Sequence, residues 1–168
     1  MPKMELDAVD VRILRELQED GRLTNVELAD KVGLSPSPCL RRVKALEGAG
    51  IISGYHAALD RGELGLGLTV FVGVKVAHRQ ENRQEKQDDD APNFWEAVQA
   101  LPEIVSCYLV SGESDFLLQV VVPDLAAYER LLLGTLLKLP SVSDVRSNFA
   151  IKAIKSPAAL PLGHLPQR

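Results

Sequence analysis

The strongest constraint on the fold is a set of helix-end signals between residues 24 and 50. Thr24 and Glu27 have the spacing of a capping box, in which each side chain bonds the backbone of the other residue. Gly33 can take the left-handed conformation that ends a helix, and Ser35–Pro36 is a cap followed by proline at the first helical position. The apolar residues at helical spacing after the two caps are Val26, Leu28, Ala29, Val32, Val43 and Leu46. These signals predict two short helices joined by a tight turn.

The second of these helices carries positive charge on its outer side. Arg41, Arg42 and Lys44 lie off the face that Val43 and Leu46 form. A helix-turn-helix with a basic second helix is typical of a module that reads DNA, although paired arginines on a helix can also be solvated surface charges. We expect the arginines to reach bases or phosphates, and hydroxyls near the helix starts to meet phosphates. The predicted DNA-binding residues are Thr24, Ser35, Ser37, Pro38, Arg41, Arg42 and Lys44.

The formal net charge of −4 is unusual for a protein that binds DNA. Most of the acidic residues lie outside the predicted motif, because residues 31–55 contain four basic residues against the single acid Glu47. Phosphate affinity depends on this local field more than on the net charge. One copy is therefore expected to bind weakly, and several copies are expected to act together.

The chain is predicted to contain two domains. An amphipathic helix over residues 6–19 completes a three-helix bundle, so that residues 1–53 form the DNA-binding domain. Residues 54–67 are predicted to be a linker strand and a glycine-containing hinge. Residues 68–155 follow the order β-α-β-β-α-β, with a helix over Leu125–Leu139 and a last strand over Val142–Ile154. The predicted class is α+β, a winged-type helix-turn-helix joined to a ferredoxin-like αβ sandwich.

Two segments are predicted to lie outside these domains. Residues 78–91 hold many charges and no large apolar side chain, which indicates a solvated loop. Residues 156–168 are rich in proline and are predicted to be a tail unless they dock on a partner. Because no stretch resembles a signal peptide or reaches transmembrane length, the expected location is the cytoplasm, in association with the nucleoid.

Three segments in sequence order resemble the Lrp/AsnC family of feast-or-famine transcription regulators: SPSPCLRRVKALE, YLVSGESD and LPSV with a following arginine. The resemblance covers roughly residues 5–155 apart from the charged loop, and it is strongest to the leucine-responsive branch and to regulators of branched-chain amino-acid or proline catabolism. It implies homodimers formed through the C-terminal sheets, which assemble into higher oligomers, often octamers. The implied partners are double-stranded DNA and a free amino acid, leucine or another small one, with no other cofactor and no membrane.

The resemblance also places the effector site at interfaces between C-terminal domains, beside the turn after the second strand. Gly112 would let the backbone approach a ligand, exposed N–H groups suit a carboxylate, and Glu113 or Asp115 could meet an ammonium group. The spacing alone favours an ordinary hairpin with solvated acids. The implied effector-binding residues are Leu109, Val110, Ser111, Gly112, Glu113, Ser114, Asp115, Leu125, Asn148, Phe149 and Ala150.

Two other functions are compatible with the residues. One is an architectural DNA-compacting protein of the same fold with no working effector site, and the other is an enzyme. The sequence shows no nucleophile–base pair, metal cluster or phosphate loop, so no catalytic or metal-binding residue is predicted. Cys39 and Cys107 lie in apolar runs and are predicted to be buried, reduced thiols. The leucines of residues 131–137 exceed what one helix face can bury, which predicts an assembly interface.

Overall fold

The computed structural model describes residues 4–77, 94–155 and 159–167. The chain forms two compact units: the first runs to Ala58 and takes up the chain again from Ile154, and the second is Leu59–Ala153. The predicted charged loop, residues 78–91, lies outside the described residues. No helix in the described part of the chain is long and apolar enough to cross a membrane.

The first unit, called the head below, is built on three helices: α1 (Ala8–Glu19), α2 (Asn25–Val32) and α3 (Pro36–Gly48). The predicted capping box of α2 is formed, since the Glu27 N–H donates to Thr24 Oγ1 at 3.3 Å and Glu27 Oε2 accepts from the Thr24 N–H at 2.8 Å. Gly33 has a φ of 71°, and the Leu34 N–H donates to the Ala29 carbonyl at 2.9 Å. The interactions predicted at both ends of α2 are therefore formed.

The core of the head lies between the three helices. Ile13, Cys39 and Leu46 are fully buried there, and burial raises the pKa of the Cys39 thiol. Val26, which was predicted to join the apolar stripe of α2, is 64% exposed. Residues two apart on a helix do not share a face, so Val26 points away from the side that Leu28 buries.

The strand predicted to leave the helical bundle is not formed within the described chain. The N–H groups of Ile51 and Ile52 donate to the Leu46 carbonyl at 3.0 and 3.2 Å, and residues 53–60 belong to no strand. An extended segment becomes a strand only when a second backbone accepts its hydrogen bonds. The residue pattern predicts the extended conformation but does not show whether such a backbone is near.

The elements of the second unit are β1 (Leu68–Val76), α4 (Phe94–Gln99), β2 (Ile104–Leu109), β3 (Phe116–Val122), α5 (Leu125–Gly134), a 3-10 turn (Leu136–Lys138) and β4 (Val142–Phe149). The four strands form an antiparallel sheet in the order β2-β3-β1-β4. This order confirms the predicted ferredoxin-like arrangement. The helices cover one face of the sheet, and alternate residues of the central strands are buried against them: Val70, Val72, Val74, Leu118, Val120 and Val122.

Two predicted elements are shorter in the structure. The helix predicted to reach Leu139 ends at Gly134, because Thr135 leaves the helical conformation with φ −131° and ψ −65°. Glycine and threonine are both poor helix formers, so the break falls where propensity is weakest. β4 ends at Phe149 rather than Ile154 because Phe149 pairs with Val70, only two residues from the start of β1, which leaves little backbone for further pairing.

Candidate DNA-binding and effector-binding sites

The predicted DNA-binding residues surround the turn between α2 and α3. Ser35 is the N-cap residue of α3, as predicted, but its side chain makes no cap hydrogen bond. Its hydroxyl is therefore available to an external anion at the positive end of the helix. Pro38 and Arg42 are half-buried, whereas the exposed members of the set are Thr24, Ser35, Ser37, Arg41 and Lys44.

Arg42, predicted to contact DNA, forms two ion pairs within the head. Its Nη1 atom donates to Asp10 Oδ1 at 2.7 Å and to Asp7 Oδ2 at 2.8 Å, which ties α3 to the start of α1. The side chain of Asp10 is only 3% exposed. The bonds to Asp10 and Asp7 raise the pKa of Arg42, and the Asp10 N–H together with Arg42 lowers the pKa of Asp7. A guanidinium held by two carboxylates is less available to a phosphate or a base.

A second basic residue of the motif is also paired within the head. Lys31 Nζ lies 2.7 Å from Glu16 Oε2, and this hydrogen bond is the main cause that raises the pKa of Lys31. Arg41 and Lys44 make no ion pair with any described residue. The unpaired positive charge on α3 is therefore concentrated in these two side chains.

The predicted effector turn, Val110–Asp115, connects β2 to β3. The Val110 N–H donates to the Asp115 carbonyl at 2.9 Å, and the Asp115 N–H donates to the Val74 carbonyl at 3.0 Å. Between them, the N–H groups of residues 111–114 donate to no described residue. Gly112 has a φ of 132°, which favours glycine. Adjacent free N–H groups in such a turn suit a carboxylate.

The two acids of the turn already hold groups of this chain. Asp115 Oδ2 accepts from the Val76 N–H at 2.8 Å, at the register shift between Lys75 and Val76 that leaves this donor outside the ladder. Glu113 Oε2 is bonded by Arg146 Nη1 on β4. The sequence reasoning missed both roles, because neither the register shift nor the pairing of Arg146 is visible in local residue spacing.

Of the remaining predicted effector residues, Leu109 lies beside the turn, whereas Leu125 and residues 148–150 lie at the other end of the sheet. Leu109 pairs with Phe116 at the end of β3 that carries the turn, whereas Phe149 pairs with Val70 at the other end. From Val70 to Val74, which pairs with Phe116, the sheet extends about 13 Å along the strands, and β2 lies about 14 Å from β4 across it. Leu125 begins α5 just after β3 ends, on the same side as Phe149. Leu109 and Phe149 are therefore far apart within one chain.

A close contact between Gly73 of β1 and Ser114 of the turn was not predicted. A Cβ atom built on Gly73 would lie 2.5 Å from Ser114 Oγ and 3.3 Å from its Cβ. Gly73 is therefore required where the turn folds over the sheet. A glycine inside a strand signals a close approach of this kind, but the sequence does not identify the partner.

We expect Gly73→Ala to displace the turn and to lower the free energy of unfolding by about 1–3 kcal/mol, the usual cost of overpacking. The added methyl group cannot fit without moving Ser114. Adding Ser114→Gly should restore most of the loss, while Ser111→Gly, which is exposed in the same turn, should not. Denaturant titration of the three variants measures this, and equal effects of both second changes would contradict the contact.

The other reactive residues carry no separate site. Cys39 and Cys107 are free, and burial raises the pKa of both thiols. Among residues 4–77, 94–155 and 159–167 no group of His, Cys, Asp and Glu side chains could hold a metal ion. Leu131 and Leu136 are buried in the core, so the predicted excess of leucine reduces to Leu133 and Leu137, which are 53% and 48% exposed.

Comparison with known proteins places both units. Residues 6–53 match the model of a winged helix-turn-helix DNA-binding family, and residues 69–160 match that of the Lrp/AsnC ligand binding domain. The leucine-responsive regulatory protein of Escherichia coli (strain K12) is 47% identical over 158 residues, covering 92% of this chain and 90% of that protein.

Two solved structures are similar over nearly the whole chain. A transcriptional regulator from Neisseria meningitidis, solved as its complex with L-Met, is 45% identical with a TM-score of 0.83 and covers 95% of this chain and 98% of that one. An AsnC family transcriptional regulator from Agrobacterium tumefaciens is 40% identical with a TM-score of 0.83 and covers 95% and 99%.

A helix-turn-helix joined to a ferredoxin-like ligand-binding domain defines a ligand-responsive transcription regulator. The two matched domains and the 47% identity to a leucine-responsive regulatory protein show that the chain belongs to the Lrp/AsnC family. It is a DNA-binding transcription regulator with an amino-acid-binding domain. Members of this family are transcription regulators and not enzymes, which excludes the catalytic alternative.

Proposed function

We propose that this regulator binds a small apolar amino acid at a site shared by two copies of the second unit. The turn at residues 110–115 of one copy would supply the carboxylate-binding part, and Leu125 with residues 148–150 of another copy would supply the rest. The observation that supports this is that Leu109, beside the turn, and Phe149 lie at opposite corners of one sheet.

The chemistry of the two corners fits the two ends of such a ligand. Free N–H groups of residues 111–114 suit its carboxylate. Leu125 and Phe149, which are 61% and 46% exposed, offer apolar surface to its side chain. The L-Met complex of the Neisseria regulator and the names of the leucine-responsive relatives support an aliphatic or thioether side chain.

The same chain is proposed to form homodimers that assemble further, with an octamer as the expected size. The sheet face opposite the helices presents Phe71, Tyr108 and Leu117, of which Tyr108 is 62% exposed. A second copy packed against this face would bury them. Leu133 and Leu137 are a further exposed pair for contacts between dimers. Because the assembly is proposed to bind DNA, its proposed location is the cytoplasm, in association with the nucleoid.

Within the head, Arg41 and Lys44 are proposed as the main DNA contacts of α3, and Thr24, Ser35 and Ser37 as phosphate contacts. Their exposure and the absence of ion pairs at Arg41 and Lys44 among the described residues support this choice. Arg42 is proposed to position α3 rather than to read DNA, since its guanidinium is already bound by Asp10 and Asp7.

We expect Arg41→Ala to weaken operator binding about 10- to 100-fold if the arginine reads a base, or to reduce the salt slope of binding by about 1 if it meets phosphate. Arg130→Ala removes the same charge from an exposed position on α5 and is the matched control. Fluorescence anisotropy at several salt concentrations measures both. Unchanged affinity and slope in Arg41→Ala would remove this residue from the interface.

The effector proposal is tested by thermal-shift screening of the twenty amino acids. A ligand that binds only the folded protein raises its apparent stability, by about 2.7 kcal/mol at a concentration of 100 Kd. The experiment separates sensing from a purely architectural role, because an architectural protein would show no stabilisation and no effect of any amino acid on operator affinity.

A further inference from the structure

The C-terminal segment 159–167 lies on the head, although it follows the last strand of the second unit. β4 ends at Phe149, and the chain rejoins the head from Ile154. The segment lies over a groove formed by α1 and residues 51–55, which we call the tail groove; the lining includes Leu17, Gln18 and Tyr55. Within it, Leu162 packs against the apolar core of the head.

Polar contacts fix the backbone of the segment at two points. The side chain of Gln18 accepts from the Leu160 N–H at 2.6 Å, and its Nε2 atom donates to the Leu160 carbonyl at 3.4 Å. Gln167 accepts a hydrogen bond from Arg15, and its Nε2 atom donates to the Leu162 carbonyl at 3.0 Å. Hydrogen bonds to the main chain give affinity in the recognition of extended peptides.

The segment is held less tightly than an element of the head core. A half-open pocket of about 570 Å³ lies between it and the head. Within residues 159–167 only Leu162 and Leu165 are partly buried, and the others are exposed. Leu160 stays 72% exposed. Such an element detaches at a smaller free-energy cost than the helices it covers.

The tail groove is joined directly to the end of α3. Ile51 and Ile52 line it, and their N–H groups bond the carbonyl of Leu46, a fully buried residue of α3. In the sequence, the segment comes shortly after residues 148–150, which belong to the proposed effector site. The chain therefore connects the end of β4 covalently to a segment that contacts the head beside α3.

We propose that residues 159–167 are a releasable ligand of the head, and that their docking in the tail groove carries the state of the amino-acid site to the DNA-binding helices. The regulatory part rests on the proposed function; the docking part does not. A tethered segment has an effective concentration on the order of mM, so weak docking is enough to keep the groove filled until the end of β4 shifts.

The docking is tested by deleting residues 159–168 and adding a labelled synthetic peptide of residues 159–167. The deletion variant should bind the peptide saturably, whereas the full chain should not, because its own segment occupies the groove. Gln18→Ala in the deletion variant should weaken peptide binding. No binding to the deletion variant, or a deletion variant that forms smaller assemblies than the full chain, would overturn intrachain docking; the second result would indicate exchange between copies.

The coupling is tested in the full-length chain with two matched variants. Leu162→Glu places a charge against the head core, whereas Pro166→Glu places the same charge at an exposed position of the segment. Operator affinity is measured with and without the amino acid found by thermal shift. We expect the change caused by the amino acid, typically 5- to 150-fold in coupled systems, to fall towards 1 in Leu162→Glu and to persist in Pro166→Glu.

Two outcomes separate this inference from the proposed function. If the unaltered chain shows no response to any amino acid, the proposed effector function fails while peptide binding still reports on the groove. If the unaltered chain responds and Leu162→Glu responds equally, the effector function holds and the role of the segment in coupling is overturned.

Discussion

Replacing Arg42 by alanine is expected to destabilise the head by about 2 kcal/mol. The change leaves the carboxylate of Asp10, whose side chain is 3% exposed, without its cation. Removing one partner of a fully buried pair costs about 3–5 kcal/mol, and a smaller loss is expected here because the Arg42 side chain is 33% exposed. Denaturant unfolding measures the loss. Operator binding should fall with it, because the position of α3 depends on this tie.

Arg41→Ala is the matched control, since Arg41 neighbours Arg42 on the same helix and makes no ion pair with a described residue. It should leave the free energy of unfolding within about 0.5 kcal/mol of the unaltered protein, as usual for surface changes. Asp10→Ala and the double variant complete a cycle in which the double variant should lose less stability than the sum of the single ones. An additive cycle would contradict the pairing, and loss of DNA binding without loss of stability in Arg42→Ala would return Arg42 to the DNA interface.

The elements that carry local signals could be predicted from the sequence. The ends of α2 depend on interactions between residues close in sequence, Thr24 with Glu27 at the start and Leu34 with Ala29 after Gly33 at the end. The structure contains these hydrogen bonds. The ferredoxin-like order was also predictable, because alternating apolar strands and amphipathic helices follow one another in β-α-β-β-α-β order.

The rest depends on contacts between distant residues. Arg42 and Arg41 look equivalent in sequence, and only the fold brings Asp10 beside one of them. Residues 53–60 have the pattern of a strand but lack a partner within the described chain. The family resemblance implies an effector site at an interface between C-terminal domains, but only the register shows that Leu109 and Phe149 lie at opposite corners of the sheet. Local spacing contains none of this information.

A mixing experiment is expected to distinguish a shared effector site from a site within one chain. Ser111→Asp adds a negative charge beside the free N–H groups of the turn, and Leu125→Glu adds one at the opposite corner; both positions are exposed, so folding should be unaffected. Each variant alone should lose amino-acid binding, because a like charge repels the ligand carboxylate or a polar group replaces its apolar contact. Leu64→Glu, an exposed leucine of the linker, should bind normally.

When Ser111→Asp and Leu125→Glu chains are produced together, binding should return. A shared site needs an unaltered turn from one chain and an unaltered corner from another, which random pairing supplies at about a quarter of the sites. Isothermal titration measures this stoichiometry directly. A site within one chain predicts no binding in any mixture, because every chain then carries one defect. Recovery to about a quarter therefore requires two copies at each site, and the effector then changes operator affinity by as much as its affinity differs between two states of that assembly.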